Sequence, residues 1–78
     1  MLLKGEGETE MDGKWYGKVG DCDLCKKPIE TSFVDGKTIY GPWGMMCGSC
    51  HSKKGCGLGL GKGQEYQKVG KEWFKVAG

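Results

Sequence analysis

At 78 residues, with 16 glycines and 37% apolar residues, this chain is long enough for one domain and short of material for a sizeable core. Its lysines and acidic residues nearly balance at a formal +2, so bulk charge alone points to no nucleic-acid or membrane-surface partner. No stretch approaches the roughly 18 apolar residues of a membrane span, and a single histidine among scattered carboxylates offers no acid–base pair; a membrane protein, an enzyme and a small-molecule binder are therefore not expected.

In chain order, residues 1–13 are acidic and interrupted by glycine, without periodicity, and read as a mobile tail ahead of a single domain over 14–78. Lys14-Trp15-Tyr16-Gly17-Lys18-Val19 suits a short strand leading into Cys22-x-x-Cys25, after which Pro28 limits any helix. Residues 31–40 carry two β-branched and aromatic runs around Asp35-Gly36, the dipeptide that tolerates the positive φ of a tight hairpin turn. A β-hairpin is expected there, with Val34 opposite Lys37, Phe33 opposite Thr38 and Ser32 opposite Ile39, ended by Pro42.

Trp43-Gly44-Met45-Met46 leads into Cys47-x-x-Cys50, and Cys50–Gly55 suits one or two helical turns with Ser49 as cap and glycine as stop. Glycines at 55, 57, 59, 61 and 63 exclude a helix through that stretch. An extended path there would put Cys56, Leu58, Leu60 and Lys62 on one side and bare backbone, free to pass close under a tryptophan, on the other. Glu65–Val69 and Glu72–Val76, joined across Gly70-Lys71, read as the strands of a second hairpin.

The chemistry lies in the cysteines. Twenty-one residues separate the two C-x-x-C steps, just beyond the spacing common in zinc sites. Each step forms a knuckle that points two sulfurs at one ion, so Cys22, Cys25, Cys47 and Cys50 are expected to close a tetrahedral, structural Zn2+ site with no open coordination position. Iron is the alternative occupant, because an all-thiolate site does not specify its metal, and a rubredoxin-like electron-transfer protein would use the same two knuckles. Lys26 and Lys27 are placed to balance the excess thiolate charge. With five cysteines, an odd number, and a start (MLLKGEGETE) unlike a secretory signal, a reduced cytoplasmic compartment is expected.

Two further matches weigh less. Cys47-Gly48-Ser49-Cys50-His51 has the form of a covalent haem attachment, but no Met or His follows residue 51 to supply a second axial ligand, and Cys22 and Cys25 would go unused. Gly57-x3-Gly61-Lys62-Gly63 is one residue too short for a phosphate-binding loop and lacks the Ser or Thr after the lysine. Cys56 reads as a small apolar residue packed below the metal site, and His51 as a surface imidazole.

Knuckle, β-hairpin, then a second knuckle opening into a short helix resembles a treble-clef zinc finger, with the zinc ribbon as alternative. Trp43 through Cys50 also resembles the aromatic approach to the C-x-x-C of GATA-type fingers, though the loop is longer here and arginine is absent. With Gly41-Pro42-Trp43, Gly57-Leu58-Gly59, Gly61-Lys62-Gly63-Gln64 and Glu72-Trp73-Phe74-Lys75-Val76, the chain is similar to small zinc-binding proteins of bacteriophages and prophages. The resemblance implies a small α+β zinc-stabilised domain, treble-clef-like with a C-terminal β-hairpin, and a bacterial cytoplasmic setting. Residues 53–78 hold six lysines against Glu65 and Glu72. Nucleic acid bound without sequence preference through His51, Lys53, Lys54, Lys62 and Lys68 is the first expected partner, and docking on a host protein is the alternative.

Overall fold

The computed structural model describes Glu10, Met11 and residues 13–78. The expected tail falls mostly on residues outside this set, but Glu10–Met11 form a two-residue strand, β1, paired with β2 (Lys14–Trp15). The other elements are β3 (Ser32–Lys37), β4 (Trp43–Met46), α1 (Gly48–Lys54), β5 (Gly63–Val69) and β6 (Glu72–Ala77). The six strands form one antiparallel sheet in the order β1-β2-β6-β5-β3-β4. Among the described residues, no helix is long and apolar enough to cross a membrane.

The expected turn at Asp35-Gly36 does not form. β3 runs straight through that dipeptide, and Gly36 is not among the glycines with positive φ. The reason lies across the sheet: Gly36 stands between Gly44 on β4 and Gly63 on β5. A Cβ on Gly36 would lie 2.8 Å from the Lys62 carbonyl oxygen and 3.0 Å from the Gly63 Cα. Glycine is needed here for the close approach of two backbones, not for a turn. The run expected as the hairpin's second strand instead supplies the connection over 38–42, and the aromatic approach Trp43–Met46 becomes the strand that pairs with β3. A hairpin therefore does lie between the two cysteine steps, with its turn over 38–42 instead of at Asp35-Gly36. Gly13, which follows the chain's other Asp-Gly aspartate in sequence, lies between β1 and β2 at φ +76°.

The C-terminal hairpin forms as expected, with Val69 opposite Glu72 across Gly70 at φ +66°. The glycine-rich stretch is not an extended strand. Gly57, Gly59 and Gly61 all take positive φ, and Gly59 N–H and Gly63 C=O close a tight loop whose tip, Leu60, is 98% exposed. Alternating glycines thus serve a chain that changes direction repeatedly, which side-chain-bearing residues resist.

One face of the sheet carries the core. Trp15, Phe33, Met45 and Tyr66 are buried together, with Val19, Ile29 and Trp73 packed against them. Phe33 and Tyr66, cross-strand partners, stack at 5.1 Å, while Trp15 meets both edge-on at 5.2 and 5.3 Å. Such aromatic pairs contribute about 0.5–1.5 kcal/mol each beyond area burial. On the opposite face Val34 and Met46 are paired and buried, and α1 packs against these same two strands.

Candidate metal centre

The first cysteine step lies in a tight loop stitched by backbone bonds. Cys22 N–H donates to Lys27 C=O at 2.8 Å, Lys26 N–H donates back to Cys22 C=O at 2.9 Å, and Asp21 bridges to Pro28. Lys26 takes φ +66°, the one non-glycine left-handed residue among those described, and this reverses the chain after Cys25. The second step straddles the start of α1. Cys47 is the N-cap residue in extended conformation, His51 N–H donates to its carbonyl, and Cys50 lies in the first turn. At that separation both sulfurs fall on one side of the helix start. Ser49, the expected cap, lies inside the helix instead, because the chain turns helical as soon as β4 ends. Gly55 terminates α1 as anticipated, its N–H donating to His51 C=O.

The two steps meet. The Sγ atoms of Cys22, Cys25, Cys47 and Cys50 all lie within 4.8 Å of one another, and among the described residues no other group of potential ligands is so arranged. Cys25 Sγ and Cys47 Sγ are 3.8 Å apart. A tetrahedron with metal–sulfur bonds of about 2.3 Å has an edge of about 3.8 Å, so this spacing fits a thiolate-held ion. It is far too long for the ~2.05 Å of a disulfide.

Electrostatics favour the same conclusion. Burial pushes the Cys22 thiol up, but the backbone N–H groups of Cys25, Cys47 and Leu24, aimed at its Sγ from 3.4–3.5 Å, outweigh burial and bring it down to about 6. Burial, followed by the neighbouring thiols of Cys47, Cys22 and Cys25, pushes Cys50 up to about 12. One sulfur is prepared as a thiolate while another resists ionising beside it. A divalent cation resolves the conflict, because it stabilises all four as thiolates at once.

Asp23, between the first two cysteines, is a residue that the sequence reading passed over. Its N–H donates to Met45 C=O at 2.8 Å, and its Oδ2 accepts from Met45 N–H at 2.7 Å. Both bonds tie the first knuckle to the edge strand that delivers Cys47. Gly44 makes room, since a Cβ there would meet Asp23 Oδ2 at 3.1 Å. A carboxylate inside a C-x-x-C step, with a glycine just before the second step, was the available signal.

The remaining candidates are placed as follows. Cys56 is exposed and outside the sulfur cluster, not packed below it, because the chain leaves α1 along β3, where Cys56 N–H donates to Lys37 C=O. His51 is half-buried, its ring over Gly55 and its Nε2 3.0 Å from the Gly57 carbonyl, to which it donates. Lys53 and Lys54 occupy the last turn of α1, and Lys54 Nζ lies 5.7 Å from the centre of the Tyr40 ring. Lys62 is exposed in the glycine loop, and Lys68 stands over Trp73 at the far end of β5. From Gly36 to Gln64 the chain holds Lys37, Lys53, Lys54 and Lys62 and no Asp or Glu.

Comparison of the chain with protein-family models, with curated proteins and with solved structures returned no match.

Proposed function

We propose that this chain is a non-enzymatic binding module of a bacterial cytoplasm, folded around one Zn2+, whose partner is nucleic acid held without sequence preference. The observation that carries the metal reading is the convergence of four sulfurs from two distant C-x-x-C steps at tetrahedral spacing. A treble-clef arrangement is supported by the order of parts: first knuckle, the β3/β4 hairpin, then a second knuckle on the start of α1. A zinc ribbon would need that second knuckle on a hairpin. Zinc is preferred to iron for a site of structural role, and visible absorption tests the preference, since an iron–thiolate protein is coloured and a zinc one is not.

The nucleic-acid reading rests on the acid-free span over 36–64, which leaves the lysines of that span unopposed, with Lys53, Lys54, Lys62, Lys68 and His51 as the contacts. Lysine without arginine suits phosphate contact rather than base reading. Measuring the retention of a labelled oligonucleotide against salt is the test. Four phosphate contacts on a single strand predict roughly a 50-fold loss of affinity between 50 and 200 mM salt. The exposed Leu58, Leu60 and Ile39 favour docking on a protein as the second reading. Binding to a protein target that survives high salt, without oligonucleotide retention at low salt, would establish that reading instead.

A further inference from the structure

The turn over 38–42 joins β3 to β4 and carries Tyr40 at its tip, 63% exposed. Exposed tips of this kind are ordinarily loose, but this one is clamped. Thr38 donates to Pro42 C=O through both its N–H and its Oγ1, at 3.0 and 2.8 Å, and Gly41 N–H returns to Thr38 C=O at 3.0 Å. Ile39 N–H donates to the Lys54 carbonyl at 2.7 Å, and Thr38 bridges to Gly55. The turn is thereby pinned to the C-terminal end of α1, and Lys54 from that same turn of helix lies over the Tyr40 ring. A fixed exposed aromatic costs little ordering entropy when a flat ligand settles on it.

Its stretch of chain is cationic. The turn, the end of α1 and the loop leading to β5 all belong to the acid-free span, with Lys37, Lys53, Lys54 and Lys62 as its formal charges outside the sulfur cluster. Lys53 and Lys54 follow Cys50 by three and four residues along α1, one helical turn towards the pinned end. An exposed aromatic held beside a lysine, in a stretch of chain that carries lysines and no carboxylates, is the combination that single-stranded nucleic acid uses, with rings for bases and cations for phosphates. Duplex offers no free base face to Tyr40, and a helix this short supplies no long element for a groove.

The geometry points to Tyr40 as a stacking platform for an unpaired base, with Lys53, Lys54 and Lys62 on the flanking phosphates, so that the partner is single-stranded rather than duplex nucleic acid. This inference rests on the nucleic-acid reading above and sharpens it. Lys68, at the other end of β5, lies outside this platform.

The test uses the full metal-loaded chain and fluorescence anisotropy with a labelled 12-nucleotide oligothymidine and a duplex of the same length at 50 mM salt. The single strand is expected to bind more tightly than the duplex. Tyr40→Ala is expected to weaken single-strand binding roughly 5- to 100-fold, the loss of one stacked base, while Tyr40→Phe stays within about twofold. Metal content and thermal melting confirm that both variants, altered at an exposed side chain, remain folded. Single-strand binding that responds to salt but not to Tyr40→Ala, or duplex binding of equal strength, overturns the platform and leaves the general nucleic-acid reading standing. Binding of neither oligonucleotide overturns both.

Discussion

At the scale of single residues, the cysteines divide sharply by position. Removing one ligand leaves three thiolates around an underbound ion, and the metal contributes on the order of 10–16 kcal/mol in zinc-finger peptides, more than a domain of this size keeps in reserve. Cys47→Ala and Cys25→Ala are therefore expected to unfold the protein, seen as collapse of amide dispersion in its NMR spectrum. Exposed Cys56 lies outside the cluster, so Cys56→Ala should shift stability by less than about 0.5 kcal/mol. Asp23 acts one step removed from the ion. Asp23→Ala leaves the Met45 N–H without its charged acceptor and loosens the knuckle from β4, so a 10- to 100-fold loss of metal affinity is expected in competition with a chromophoric chelator. Asp23→Asn keeps an acceptor oxygen and should recover much of it. Cysteine spacing made the four clustered sulfurs legible from the chain alone. Asp23 left only the local trace of a carboxylate inside a C-x-x-C step, because its partner lies on a strand 22 residues away in sequence.

At the scale of elements, the test of the Asp35-Gly36 correction is local. Were those residues a turn, their amides would exchange with solvent quickly; as the middle of a strand paired on both sides, β3 should be among the slowest-exchanging segments. Gly36→Ala forces a methyl group against the Lys62 carbonyl and the Gly63 backbone, with an expected cost of about 1–3 kcal/mol. Gly48→Ala is the contrasting substitution. That position is helical and open on all sides, so alanine should stabilise by about 0.5–1 kcal/mol. Thermal melts of the two metal-loaded variants should therefore move in opposite directions. Alternation of apolar residues does not distinguish the two outcomes for residues 31–40. A strand running through Asp35-Gly36 and a hairpin folded at it present similar local patterns, and the row Gly44–Gly36–Gly63 that decides between them is assembled only by the sheet.

At the scale of the whole molecule, the proposed zinc site would make folding and metal binding one reaction. Chelation is expected to abolish the cooperative thermal transition, and re-addition of Zn2+ to restore it. Proton competition gives this linkage a definite sign. The metal-free chain is unfolded, where thiols ordinarily titrate at about 8.5 and so hold their protons at neutral pH; binding must release them, and affinity therefore rises with pH up to about 8–9. Chelator competition across pH reads this slope.

Taken alone, the amino-acid order settled which four side chains are candidate ligands, that a short helix forms at the second pair, and where the C-terminal hairpin turns. Each depends on neighbours a few positions apart: paired cysteines at a ligand spacing, a glycine stop, a turn between β-forming runs. Which strands lie side by side, why one Asp-Gly pair stays straight, and how Asp23 and Tyr40 are held all waited on the folded sheet. Those outcomes are set by contacts between backbone segments far apart along the chain, whose energies no local preference of the residues contains.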